Sequence, residues 1–193
     1  CKVSRKPVKH MPPRKHKHLY GNSIDKRQKY INSRKQFGHW EIDTVIGKNT
    51  KNQSSLLVLT ERKTRMEIIR KLSGKTSSAV MKEMHNLITE YGSDFNKVFL
   101  SITADNGAEF SKLATLEHIT GIKIYYAHPF SSFERGSNER NNRIIRYFIK
   151  KGTSINNITE QNIKAIEEWI NSLPRKILNF NTAYDAFKNE LKR

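Results

Sequence analysis

The first long apolar segment, "HWEIDTVIG", alternates: Trp40, Ile42, Thr44 and Ile46 share one face, Glu41 and Asp43 the other. Side chains of a strand alternate with a period of two, so this pattern predicts a strand with one well-covered face. "SSLLVLTER" and "TRMEIIRKL" follow, rich in apolar and β-branched residues and separated by the polar "ERKTR". Three strands in such short succession predict an antiparallel meander. The spacing then becomes helical in "TSSAVMKEMHNLITEYG", through Val80, Met81, Met84, Leu87 and Ile88. A Thr/Ser cap precedes this stretch and Gly92 closes it. "KVFLSITAD" predicts a buried strand, "AEFSKLATLEHITG" a second helix closed by Gly121, and "IKIYYA" a short strand. After the loop "HPFSSFERG", "SNERNNRIIRYFIKKG" predicts a third helix, capped by Ser137 or Asn138 and ended by Gly152. "TEQNIKAIEEWINSL" predicts a fourth, amphipathic through Ile163, Ile166, Trp169, Ile170 and Leu173, with Pro174 at its end. The order β-β-β-α-β-α-β-α-α predicts an α/β fold: a mixed five-stranded sheet, three antiparallel strands then alternating β/α units, flanked by helices.

Charge adds a partner to this picture. The 193 residues carry 36 Lys/Arg against 18 Asp/Glu, a net charge of +18. An excess of that size predicts a polyanionic partner, most simply nucleic acid. Residues 1–38 hold 12 of the basic residues and one acid, Asp25, with three prolines in the first twenty positions. They are expected to form a basic, largely extended N-terminal arm, and residues 39–193 the folded domain. His10, His16 and His18 are interleaved with lysines and read as phosphate-facing, not as a metal cluster. The one cysteine, Cys1, excludes an internal disulfide and a cysteine-based zinc site. No segment approaches the roughly 18 apolar residues of a membrane span, so no membrane partner is expected. With no signal-peptide pattern in view, a cytoplasmic location is expected. A first residue other than methionine predicts a piece of something longer.

Three acids then occupy comparable places. Asp43 lies on the more polar face of the first strand, Asp105 ends the fourth, and Glu139 falls in the first turn of the third helix. If those two strands are neighbours, the aspartates can sit side by side. Three converging carboxylates would repel one another unless a cation intervened. A hard, oxygen-seeking metal relieves that, and two such ions about 3.5–4 Å apart clamp an in-line phosphodiester reaction. Each acid also has a plain structural use: "ADNG" is good turn chemistry for Asp105, and a first-turn Glu139 suits the helix dipole. Asp43 is harder to explain that way, because strand interiors are poor in Asp. Glu41 is expected to pair with Lys or Arg, and Glu109 to cap its helix. Glu139, Arg143 and Arg146 are spaced four and three apart on one helical face, bordered by Asn142, which suits a metal site beside a phosphate backbone. Tyr125, Tyr126, Phe130 and Phe133 flank the loop before Glu139, open to core or DNA contact.

"GHWEIDTVIG", "LTERKTR", "TADNGAEF", "YYAHPFSSFERGSNERNNRIIRYFIKKGTS" and "LPRKILNFNT", in that order, resemble the catalytic domain of the IS30-family bacterial transposases. These are integrase-like DDE recombinases with a ribonuclease H-like fold. The 33 residues between Asp105 and Glu139 match the family's spacing, and Arg146 matches the basic residue seven positions on. The resemblance implies a DDE polynucleotidyl transferase that cleaves and joins DNA strands in transposition. Asp43, Asp105 and Glu139 would be both catalytic residues and ligands of two Mg²⁺ (or Mn²⁺) ions. Asn106, His128, Asn138, Asn142, Arg143 and Arg146 would contact DNA or position ligands. Transposon ends and target DNA would be the partners, and the active assembly a homo-oligomer. Arg140, the "IKKG" segment and Ala183 depart from the family pattern without touching the three acids. Nothing here resembles the helix-turn-helix region that family members carry ahead of this domain, so most end recognition is not expected of this chain. A ribonuclease H-like nuclease, or a non-catalytic basic nucleic-acid-binding fragment, would account for the same charge.

Overall fold

The computed structural model describes residues 19–48, 50, 52–128 and 136–192, without the side chains of residues 136–141. Among the described residues, six strands form one mixed sheet: β1 (Asn22–Ser23), β2 (His39–Ile46), β3 (Ser55–Glu61), β4 (Glu67–Leu72), β5 (Ser101–Ala104) and β6 (Lys123–Tyr126). Their spatial order is β1-β6-β5-β2-β3-β4. The predicted meander is β2-β3-β4, antiparallel throughout, while β5 and β6 add in parallel beside β2. The sheet has one strand more than predicted, because Asn22–Ser23 pairs in parallel with Tyr125–Tyr126. Two residues carry too little apolar periodicity to be legible as a strand.

Alternation along the sheet decides which helices cover which face. Trp40, Ile42, Leu57 and Leu59 pack with Val80, Met84 and Leu87 of α1 (Ser77–Tyr91). The Trp40 indole stacks on Phe99 and donates its N–H to the Val98 carbonyl of α2 (Phe95–Val98) at 2.8 Å. On the opposite face, Val45, Leu56, Val58 and Ile69 meet Ile145 of α4 (Gly136–Phe148), Ile149 just past it, and Ile163 and Ile170 of α5 (Glu160–Ser172). Each fully buried aliphatic side chain in these layers contributes about 1.5–3 kcal/mol relative to exposure.

The predicted second helix is broken into two 3-10 turns, Ala108–Phe110 and Leu113–Thr115, before the short α3 (Leu116–Thr120). Phe110, Leu113 and Leu116 are all buried, and three anchors within seven residues fit this irregular path better than one helical stripe. α6 (Ala183–Leu191) begins at Ala183, with the Thr182 side chain accepting from Asp185 N, so the chain's departure at that position leaves the helix intact.

Residues 1–18 of the expected arm lie outside the described residues. Residues 19–37 fold onto the domain through two 3-10 turns, with Ile31 buried. The Arg27 guanidinium is buried and donates to Thr103 Oγ1 at 3.0 Å and Asn32 Oδ1 at 2.7 Å. Tyr125 and Tyr126 are core residues, the Tyr126 hydroxyl donating to the Phe110 carbonyl. Phe130 and Phe133 lie outside the described residues.

Candidate active site at the ends of β2 and β5

β2 and β5 are parallel neighbours, with His39 opposite Ser101, Trp40 opposite Ile102 and Glu41 opposite Thr103. Two residues further along the same register, Asp43 comes level with Asp105, just past the last residue of β5. The two aspartates share the face of the sheet that α4 crosses. Both are half-buried. Asp43 Oδ1 accepts from Thr44 N at 2.9 Å, and Oδ2 from the Asn142 side-chain amide at 2.8 Å. Asp105 Oδ1 accepts from Gly107 N at 2.8 Å, the turn bond that "ADNG" promised.

α4 is fastened to β2 at two places on one helical stripe. Asn142 holds Asp43, and one turn later Arg146 Nη2 donates to the Ile46 carbonyl at 2.7 Å. Burial pushes the Arg146 guanidinium below its ordinary value, and its buried Nη1 has no hydrogen-bond partner. Glu139 lies in the first turn of this helix, three residues before Asn142. The side chains of Glu139 and Asn138 are outside the description. Arg143 is exposed and borders an apolar groove with Tyr147 and Trp169. Among the described side chains of the predicted stripe, Asn142 is the one bonded to an acid.

Two further predicted residues have partners within the fold. Asn106 is buried and its Oδ1 accepts from Tyr20 N at 3.3 Å. His128 Nε2 lies 2.9 Å from Asp25 Oδ2, which ties the end of β6 to residues 19–37. The Ser23 hydroxyl bond and, after it, His128 hold the Asp25 carboxyl below its ordinary value.

Glu109 corrects its predicted role. It caps no helix: it is buried, and its Oε1 accepts from Thr44 Oγ1 at 3.1 Å and pairs with Lys75 Nζ at 3.0 Å. A Cβ at Gly107 would lie 2.5 Å from Glu109 Oε2 and 2.7 Å from Asp105 Oδ1. A side chain there would have to push both carboxylate ends aside. The Gly107 φ of −74° is open to any residue. Glu109 thus spans from the residue after Asp43 to the turn that carries Asp105. The Asp-Asn-Gly-x-Glu spacing was the available signal, but the pairing with Lys75 joins residues 34 positions apart.

Among the described residues, no three His, Cys, Asp or Glu side chains converge as a metal cluster. Two of the three expected ligands are described and one is not. What is described fits a hard divalent cation: two level, half-buried carboxylates, all oxygen donors, at one end of a sheet.

No protein-family model matches the chain. It is 39% identical over 176 residues to a probable transposase for insertion-like sequence element IS1161 of Streptococcus salivarius, covering 91% of this chain and 48% of that protein. It is 35% identical over 162 residues to the transposase InsI for insertion sequence element IS30C of Escherichia coli, covering 84% of this chain and 41% of that protein. Over most of its length the chain is similar to part of the IS30-family transposases. It spans about half the length of the curated relatives it matches. Among solved structures, the catalytic core domain of BIV integrase aligns with a TM-score of 0.59 at 18% identity, covering 81% of this chain and 97% of that one. That likeness shows the ribonuclease H-like fold. No helix among the described residues is long and apolar enough to cross a membrane.

Proposed function

We propose that this domain is the DDE catalytic domain of a transposase, a polynucleotidyl transferase that cleaves DNA and joins strands. The observation that carries the reading is the level placement of Asp43, inside β2, with Asp105, just past the end of the adjacent parallel β5. Asp43, Asp105 and Glu139 would hold two Mg²⁺ (or Mn²⁺) ions, which when bound activate a water or DNA 3′-hydroxyl and stabilise the leaving 3′-oxygen. Asn142, through its bond to Asp43, would orient that carboxylate. Arg146, bonded to the Ile46 carbonyl, would keep α4, and with it Glu139, seated against β2. Glu109 would hold the two strand ends in register. Arg143, exposed on the same helix, would take a backbone phosphate, which fixes register without reading sequence. Asn138 and His128 would position phosphates or ligands, and Asn106 would act from beneath by anchoring residue 20 to the Asp105 turn. DNA, both transposon ends and target, is the proposed partner, and a homo-oligomer in the cytoplasm the proposed working form.

The test is strand joining on a branched oligonucleotide that mimics an integration product, in Mg²⁺ or Mn²⁺, with Asp105→Asn alongside. Such a substrate needs little end recognition. Metal-dependent resealing that vanishes in the variant is the expected result. Hydrolysis without joining would replace the transferase with a nuclease. Salt-sensitive DNA binding with no reaction in either protein would leave a non-catalytic binding domain.

A further inference from the structure

On the α1 side of the same sheet end lies a recess of about 350 Å³, lined among others by Lys48, Ser55, Gly74, Lys75 and Thr76. The DNA-joining reading does not use it. Three observations give it a chemistry. First, it opens at the N-terminus of the 15-residue α1, whose first turn contains no acid. Thr76 caps the helix: its Oγ1 accepts from Ala79 N and its carbonyl from Val80 N. The amides of Ser77 and Ser78 come ahead of the first intrahelical acceptor and carry the positive end of the helix dipole. Second, Lys48 and Lys75 bring two cations to its lining. Third, Ser55 is 1% exposed, and its buried hydroxyl has no hydrogen-bond partner. Ser55 shares strand parity with Leu57 and Leu59, which pack beneath α1, so its hydroxyl is directed to the recess. A buried hydroxyl without a partner calls for a ligand or a water.

Helix amides, two ammonium groups and a hydroxyl together make an oxyanion site. Its position names the oxyanion. Lys75 also pairs with Glu109, whose other carboxylate oxygen flanks Gly107 opposite Asp105, so recess and acids are bridged by one ion pair. We propose that the recess binds a backbone phosphate of the DNA strand that crosses the sheet end, beside the phosphate that reacts at Asp43 and Asp105. The proposal rests on the DNA-joining reading for the identity of the strand. The charge complementarity and the unpartnered serine are independent of it.

Gly74 supplies the test. A Cβ there meets nothing closer than the Gln53 carbonyl at 4.0 Å, so side chains are accommodated. Gly74→Glu places a carboxylate in the recess, and Gly74→Ala controls for the backbone. The expected result is binding of the branched duplex weakened about tenfold by Gly74→Glu and unchanged by Gly74→Ala. Lys48→Ala should lower the slope of log affinity against log salt by about one. By amide NMR on the full chain, the branched duplex should shift Ser77 and Ser78, and inorganic phosphate should shift the same amides at far higher concentration. Equal DNA binding by the two Gly74 variants overturns the proposal. Shifts with inorganic phosphate but not DNA would make the recess a small-anion site, and shifts with neither a hydration site only. Wild-type strand joining with unchanged affinity in Gly74→Glu would sink the recess alone. Intact shifts without joining would sink the catalytic reading alone.

Discussion

Glu41 and Asp43 sit two residues apart on the same face of one strand, and the fold treats them in opposite ways. Glu41 is fully buried and ion-paired with Arg62, inside a layer that also holds His39, Glu61, Thr64 and Arg65. Glu61 closes the turn after β3, accepting from Lys63 N at 2.9 Å and from Thr64 Oγ1 at 2.8 Å, although burial still pushes its carboxyl up. Asp43, one strand repeat on, is half-buried and held by a backbone amide and an asparagine. The difference is position along the strand. Toward its start, residues 24–34 and the turn after β3 close over the polar face and supply guanidinium groups. At Asp43 the face is partly open beside α4, before Val45 closes it again. A buried carboxylate with its own arginine is committed to structure, because separating such a pair strands a charge. A partly open carboxylate can still present an oxygen edge to a cation. Acidity alone does not mark a site; the neighbourhood does.

The sharpest way to break this comparison is to neutralise each acid in turn. Asp43→Asn should abolish strand joining by at least about a thousandfold, since a metal ligand supplies several kcal/mol of transition-state stabilisation. Thermal stability should stay close to wild type. Glu41→Ala should do the reverse, lowering unfolding free energy by about 3–5 kcal/mol in chemical denaturation, because Arg62 stays buried without its partner. Replacing the pair together, Glu41→Leu with Arg62→Met, should recover most of that loss. If Asp43→Asn destabilises as much as Glu41→Ala, the division between the two acids fails.

His39 tests the structural half by pH. Burial, with Arg62 and Arg27 nearby, lowers its pKa from the usual 6.5 to about 4. The fold therefore accommodates the neutral ring. The unfolded chain binds the extra proton first, so this stabilisation is complete above about pH 6.5 and is lost progressively as the pH falls toward 4. At most about 3 kcal/mol is involved. Unfolding curves across that range should show the loss, and His39→Asn, which keeps a hydrogen-bonding group near Ser101, should flatten it. The smallest effect concerns the Asp105 turn. Gly107→Ala pushes on both Glu109 and Asp105, and should lower the joining rate about tenfold, with DNA affinity unchanged, in single-turnover kinetics.

Much of this was legible in the residues. Alternation and turn chemistry carried the meander, β5, β6 and helices α1, α4 and α5, because these elements bury one regular face. Asp43 stood out as an acid inside a strand, and "ADNG" read correctly as a turn. The irregular path from 108 to 120 did not, since it is held by Phe110, Leu113 and Leu116 reaching a core already built by other elements. "ERKTR" read as a polar separator, yet Glu61, Arg62, Thr64 and Arg65 are all buried. Their burial depends on Glu41 and on the preceding segment, which no local window contains. Glu109 was misjudged for the same reason.

By itself, the sequence determined the class of fold, the large basic surplus of the chain and the acids worth attention. Period and charge are properties of the chain that need no partner to be read. The tertiary structure alone decided that β2 and β5 are adjacent and in a register that levels Asp43 with Asp105. It also decided that Glu41 belongs to the arginines and that Glu109 joins the two strand ends. Each of those facts rests on a contact between segments distant in sequence, and such contacts form only when burial of the two apolar layers fixes the sheet.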